Sequence, residues 1–226
     1  MPYHPSHNSR LLAASLLALL LSGYLFATEA NAQEPRDVSK VNGGIRVSAN
    51  EVVGEVSSVN GGIDIGRGAS ASSVDTVNGS IEVEDDATIS SVQTVNGGIR
   101  IGENVTVNGS AQTVNGGIRI DAGGRIGGGV ETTNGKITLS TVRVGDDVVT
   151  TNGDVNLYGA TEIGGDVIFE GRRSAWSRWF NWNRRKPDLE IEAEVVIQGD
   201  IHLYREVNLD IANGASYGEI IRHYRD

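Results

Sequence analysis

The dipeptide Asn-Gly recurs at Asn42, Asn60, Asn78, Asn96, Asn115, Asn134 and Asn152, in steps of 18, 18, 18, 19, 19 and 18 residues. So regular a period points to a repeat architecture, in which each unit buries its apolar face only by stacking on its neighbours. Aligning the units on Asn shows the inward columns. Three residues later stand Ile45, Ile63, Ile81, Ile99, Ile118, Ile137 and Val155; five later stand Val47, Ile65, Val83, Ile101, Ile120, Leu139 and Leu157. Four residues earlier stand Val56, Val74, Val92, Ala111, Val130 and Val148. The residue between the two later columns is Arg46, Asp64, Glu82, Arg100, Arg119, Thr138 or Asn156, so the alternation is that of a strand with one face buried.

A strand, a crossover helix and their loops need about 30 residues, which an 18-residue unit does not have. It has room for three strands of about six residues and three turns. The fold class expected is therefore all-β: a single-stranded parallel β-helix, or β-solenoid, of triangular coils about 18 residues long, each about 4.8 Å above the last. Asn-Gly takes positive φ readily, so each pair is expected to do so at a corner. The seven Asn amides should bond to one another in file. On the exposed column Arg46 falls over Asp64 and Glu82 over Arg100, as opposite-charge pairs. Arg100 over Arg119 is a like-charge contact that the pattern leaves unexplained. An antiparallel meander would need a second turn signal in each unit, and only Asn108-Gly109 obviously supplies one.

After Asn152 the motif fades but alternation continues through Ile163, Val167 and Phe169, then Leu189, Ile191 and Ala193, Val195 and Ile197, Ile201 and Leu203, and Val207, Leu209 and Ile211. Two or three further coils are expected, giving a solenoid domain over 33–216 and a C-terminal cap or tail over 217–226. At the other end Arg10, the apolar run Leu11 to Ala27 and Ala30-Asn31-Ala32 read as a signal peptide over 1–32, with the exported chain starting at Gln33. The run is near the lower length limit for a membrane span, and the cleavage signal behind it favours removal. Export implies a periplasmic, cell-surface or extracellular location. The chain has no Cys, which excludes disulfides, thiolate metal sites and a Cys nucleophile. Thirty Gly against three Phe suit a thin core of Val, Ile and Ala, and a net charge of −10 argues against nucleic acid as a partner.

One segment breaks the composition. Residues 171–187 hold all three Trp, one Phe and six basic residues with no acid: Arg172, Arg173, Trp176, Arg178, Trp179, Phe180, Trp182, Arg184, Arg185 and Lys186. Trp176, Trp179 and Phe180 share one face at helical spacing, and Trp182 does not. Trp with Arg suits an anionic membrane surface, lipopolysaccharide phosphates or wall carboxylates. The competing readings are that the segment lies over the solenoid and buries its Trp there, or that it meets another protein.

No catalytic, cofactor or metal residues are expected. Glu84-Asp85-Asp86, Asp146-Asp147 and Asp166 lack calcium-loop spacing and read as turn residues. Ile101 to Thr106 resembles the hexapeptide of left-handed β-helix acyltransferases, leaving the hand of the coil open, but His202 and His223 have no partner that the sequence identifies. Right-handed β-helix proteins that bind or cleave envelope polysaccharide are the alternative; they build clefts from long loops, and the turns here are short.

Units such as Thr94-Val95-Asn96-Gly97-Gly98-Ile99-Arg100-Ile101 resemble bacterial β-strand-repeat adhesins, and the coil length with Val195 to Leu203 is similar to bactofilins. The resemblance covers about residues 38 to 216 and implies a β-helix; for bactofilins it also implies head-to-tail assembly into filaments without nucleotide. The expected function is a non-enzymatic structural or adhesive protein of the cell envelope, self-associating through its coil ends.

Overall fold

A computed structural model describes residues 35–171 and 185–224. Among them there is no helix, and every strand pairing is parallel, as a β-solenoid of about nine turns with roughly 19 residues per turn. The meander is thereby excluded. One face is a nine-stranded sheet running from Ile45–Val47 to Asn208–Ile211; the other two faces join in a 15-stranded sheet. A middle coil consists of Ile99–Ile101, Thr106–Val107 and Ala111–Asn115, so the three strands are short and unequal rather than each about six residues. In the coils before it, Ser70–Asn78 and Thr88–Asn96 run unbroken across two faces. Thr88 pairs with Thr106 but Val92 with Ala111, which locates one inserted residue between them, at Asn108-Gly109-Ser110. That insertion turns a bent strand into two strands and lengthens the coil to 19.

The three predicted apolar columns are buried: Ile63, Ile65 and Val56 are fully inaccessible, and their equivalents follow from coil to coil. A third wall, which the Asn-Gly alignment did not isolate, is lined by Ala69, Ala71, Ala87, Ile89, Val105 and Val107. The core also contains a polar column. Thr76, Thr94, Thr113 and Thr132 are buried, and their hydroxyls donate at 2.9 to 3.0 Å to the carbonyls of Gly61, Gly79, Gly97 and Gly116. Each bond removes the penalty for burying a hydroxyl and ties a strand to the adjoining corner.

The Asn-Gly corners are not the positive-φ positions expected. Within that column only Gly43 has positive φ, at 99°. Glycine is required because the corners pack backbone on backbone: a Cβ on Gly97 would lie 2.0 Å from the Gly79 carbonyl oxygen. Positive φ belongs to a different corner, where Asn50, Gly68, Asp86, Asn104, Gly123, Thr141 and Gly159 stack in file at 55–78°. Gly, Asn and Asp fit this left-handed region, and Thr141 is its β-branched exception.

Arg46 bonds Asp64 at 2.8 Å as expected, but Glu82 and Arg100 lie in register without a salt bridge between them. Arg119 turns along its own strand to Asp121 at 2.9 Å, which accounts for the tolerated Arg100–Arg119 contact. Beyond Asn152 the stack continues as predicted through Ile163, Val167, Phe169, Leu189, Ile191, Ile201 and Leu203. Ala193 is exposed, because it sits in a turn rather than on the strand. Within the terminal stretch Ile220–Arg222 lies parallel on Ile201–Leu203 as one more strand of the stack.

Candidate functional site

The corner ladder ends where residues 171–187 enter. Asn60 donates its amide to Asn42, and Asn78, Asn96, Asn115, Asn134 and Asn152 each donate to the Asn before, at 2.9 to 3.2 Å. The amide dipoles therefore all point one way and reinforce one another, with oxygen facing the C-terminal coils. At that oxygen-bearing end the Arg205 guanidinium donates to Asn152 Oδ1 at 2.8 Å and to the Thr151 carbonyl at 2.9 Å. A cation thus meets the negative end of the column.

Of the predicted surface-binding residues, Arg172, Arg173, Trp176, Arg178, Trp179, Phe180, Trp182 and Arg184 lie outside the described residues, as does the expected signal peptide at 1–32. Arg185 and Lys186 are placed. Arg185 bonds Asp154 at 3.0 Å and Asp188 at 2.9 Å, and both raise its pKa above the ordinary value, the Asp188 hydrogen bond most. Lys186 bonds Glu206 at 2.9 Å, which raises its pKa likewise. Both remain largely exposed, so these cations tether the segment's stem to acids of the rod while still facing water. Deeper anchors flank the stem: Phe169 before it and Leu189 after it are fully buried.

A second cluster lies at the final coils. His202, 8% exposed, contacts His223 through Nδ1 and Nε2 at 3.0 Å, and its Nε2 lies 3.4 Å from Asp166 Oδ2. Tyr204 stacks on the His223 ring at 4.1 Å. These partners escaped the sequence reading because the 34-residue step from Val155 to Leu189 hides the register. Once the coil is traced, Ile168, His202 and Ile221 form one column, which brings His223 beside His202.

The acids expected as turn residues have specific structural partners. Asp147 Oδ1 accepts the Asp166 N–H, Asp166 Oδ1 the Asp200 N–H and Asp200 Oδ1 the Glu219 N–H, each at 2.8 Å. Burial pushes the Asp147 carboxyl up, against the opposing hydrogen bond from Asp166. Asp85 accepts from the Glu103 N–H and from Arg67. Among the described residues no group of three or more His, Asp or Glu is arranged to hold a metal ion, and no helix is long and apolar enough to cross a membrane. No family model, curated protein or solved structure matches the chain.

Proposed function

We propose that the protein is a non-enzymatic, exported rod of the cell envelope, structural or adhesive in role, which holds its Trp/Arg segment against an anionic membrane or wall polymer. The observation that carries this reading is the mounting of the segment. Its flanks are fixed by buried Phe169 and Leu189 and by the Arg185 and Lys186 ion pairs, at one corner of a rod stiffened by hydrogen-bonded files. Rigid mounting lowers the ordering cost of presenting Trp and Arg to a surface. The repeat's resemblance to β-strand-repeat adhesins and bactofilins and the signal-like residues 1–32 support the same reading. Self-association through the open strand edges of the end coils is its second element.

The test replaces 172–184 by a short Gly-Ser bridge and measures co-sedimentation with anionic phospholipid vesicles and with isolated peptidoglycan. Binding should be lost from at least one of the two while the unfolding temperature stays within a few degrees. Binding of both at wild-type strength would overturn the proposal.

A further inference from the structure

Beside the end of the Asn file, Lys136, Asn152, Asp154, Arg185 and Arg205 surround a recess of about 300 Å³ lined by Gly135 and Gly153. The backbone at this corner departs from the rest of the rod. In the preceding coils the corner Gly N–H donates to the Asn carbonyl of the next coil, from Gly43 to Asn60 through Gly116 to Asn134. The series stops there: among the described residues the N–H groups of Gly135 and Gly153 have no acceptor, although Gly153 is buried and Gly135 half-buried. A buried backbone donor without an acceptor is costly, and two consecutive members of one file share the condition.

We infer that this recess is a binding site for the carboxylate of an acidic sugar. Two N–H donors and the Lys136 ammonium, which makes no salt bridge among the described residues, supply the oxyanion contacts. Lys136 and Arg185 line the recess together with the Asp154 carboxylate, so the site offers cations for an anion and an acceptor for neighbouring hydroxyls. The volume exceeds that of a carboxylate alone and accommodates a hexose ring, whose hydroxyls can donate to the Asp154 carboxylate. This inference is separable from the anchoring role, since Arg185 and Pro187 are the only lining residues taken from 171–187 and a bridge across 172–184 leaves both in place.

The experiment titrates the ¹⁵N-labelled chain with D-glucuronate, D-glucose and inorganic phosphate, and reads the amide resonances of Gly135 and Gly153. Glucuronate should shift both in a saturable way, glucose should shift neither at equal concentration, and Lys136→Gln should weaken glucuronate about tenfold. Arg185→Gln should weaken it similarly, and the chain bridged across 172–184 should still bind it. Unmoved glycine amides, equal responses to glucose and glucuronate, or unchanged affinity in Lys136→Gln would overturn the site. A response to phosphate without one to glucuronate would overturn its assignment to a sugar acid.

Discussion

Arg205 reaches 53 residues back along the chain to close the amide file at Asn152, with 2.8 Å between guanidinium and side-chain oxygen. Its replacement by Met keeps the aliphatic packing and removes the donor, leaving the Thr151 carbonyl and Asn152 oxygen short of a charged partner. Arg205→Met should destabilise the protein by about 1 to 3 kcal/mol in urea unfolding, with an unchanged m-value. Arg205→Lys should recover only part of this, because one ammonium cannot reproduce the fork.

Neighbouring glycines of one corner should behave very differently. A methyl at Gly97 would lie 2.0 Å from backbone, whereas one at Gly98 would approach nothing closer than 3.3 Å. Gly97→Ala should cost at least about 3 kcal/mol or prevent folding, and Gly98→Ala less than about 1 kcal/mol. Thermal unfolding of the pair distinguishes steric exclusion from a general preference for glycine in turns.

Inside the Thr column, Thr94→Val keeps the volume and strands the Gly79 carbonyl that the hydroxyl now satisfies at 3.0 Å. A loss of about 1 to 2 kcal/mol is expected, while Thr94→Ser keeps the bond and forfeits a methyl. A stabilised Val variant would show that the hydroxyl file contributes nothing to the fold.

Burial raises the Asp75 carboxyl to about 6, with Glu55 adding a like charge and the Ser73 hydrogen bond opposing the rise. A folded pKa above the unfolded value of about 3.9 gives stability that is complete below that value and lost as the pH rises through about 6. Asp75→Asn should therefore match the wild type near pH 4 and exceed it at pH 7.5 by roughly 1 to 2 kcal/mol, discounted for partial exposure. Denaturant curves at the two pH values check the sign.

The His223 pKa shifts the opposite way. Desolvation, followed by the charge of His202, lowers it below the ordinary 6.5, so its contribution is present above that value and lost as the pH falls through the folded pKa. A second proton also removes the lone pair that lets the two rings share one hydrogen bond at 3.0 Å. Amide exchange at Ile220–Arg222 should accelerate on acidification below pH 6.5 faster than exchange at Ile81–Val83, and His223→Gln should reduce that difference.

The coil was legible in the residues because the Asn-Gly pairs sit in one file and the apolar columns keep fixed distances from them. Ile45, Ile63 and Ile81 could be placed inward by counting alone. The third wall was harder to read, because Ala69, Ala87 and Val105 lie nine residues from the Asn marker and two of the three are small Ala, a weak apolar signal. Asn-Gly was misjudged for a physical reason: its usual hairpin conformation gives way here to a stacking constraint that no single coil displays. The His202–His223 contact and the recess at Gly135 and Gly153 both arise where 171–187 interrupts the register, so neither follows from the period.

A file of amides oriented alike gives the rod a foot and a head. Asn42 accepts the first of its bonds, from Asn60, while the last oxygen of the row, on Asn152, is already occupied by Arg205. A second molecule joining beyond Asn208–Ile211 would lengthen the sheets without lengthening this row of side chains.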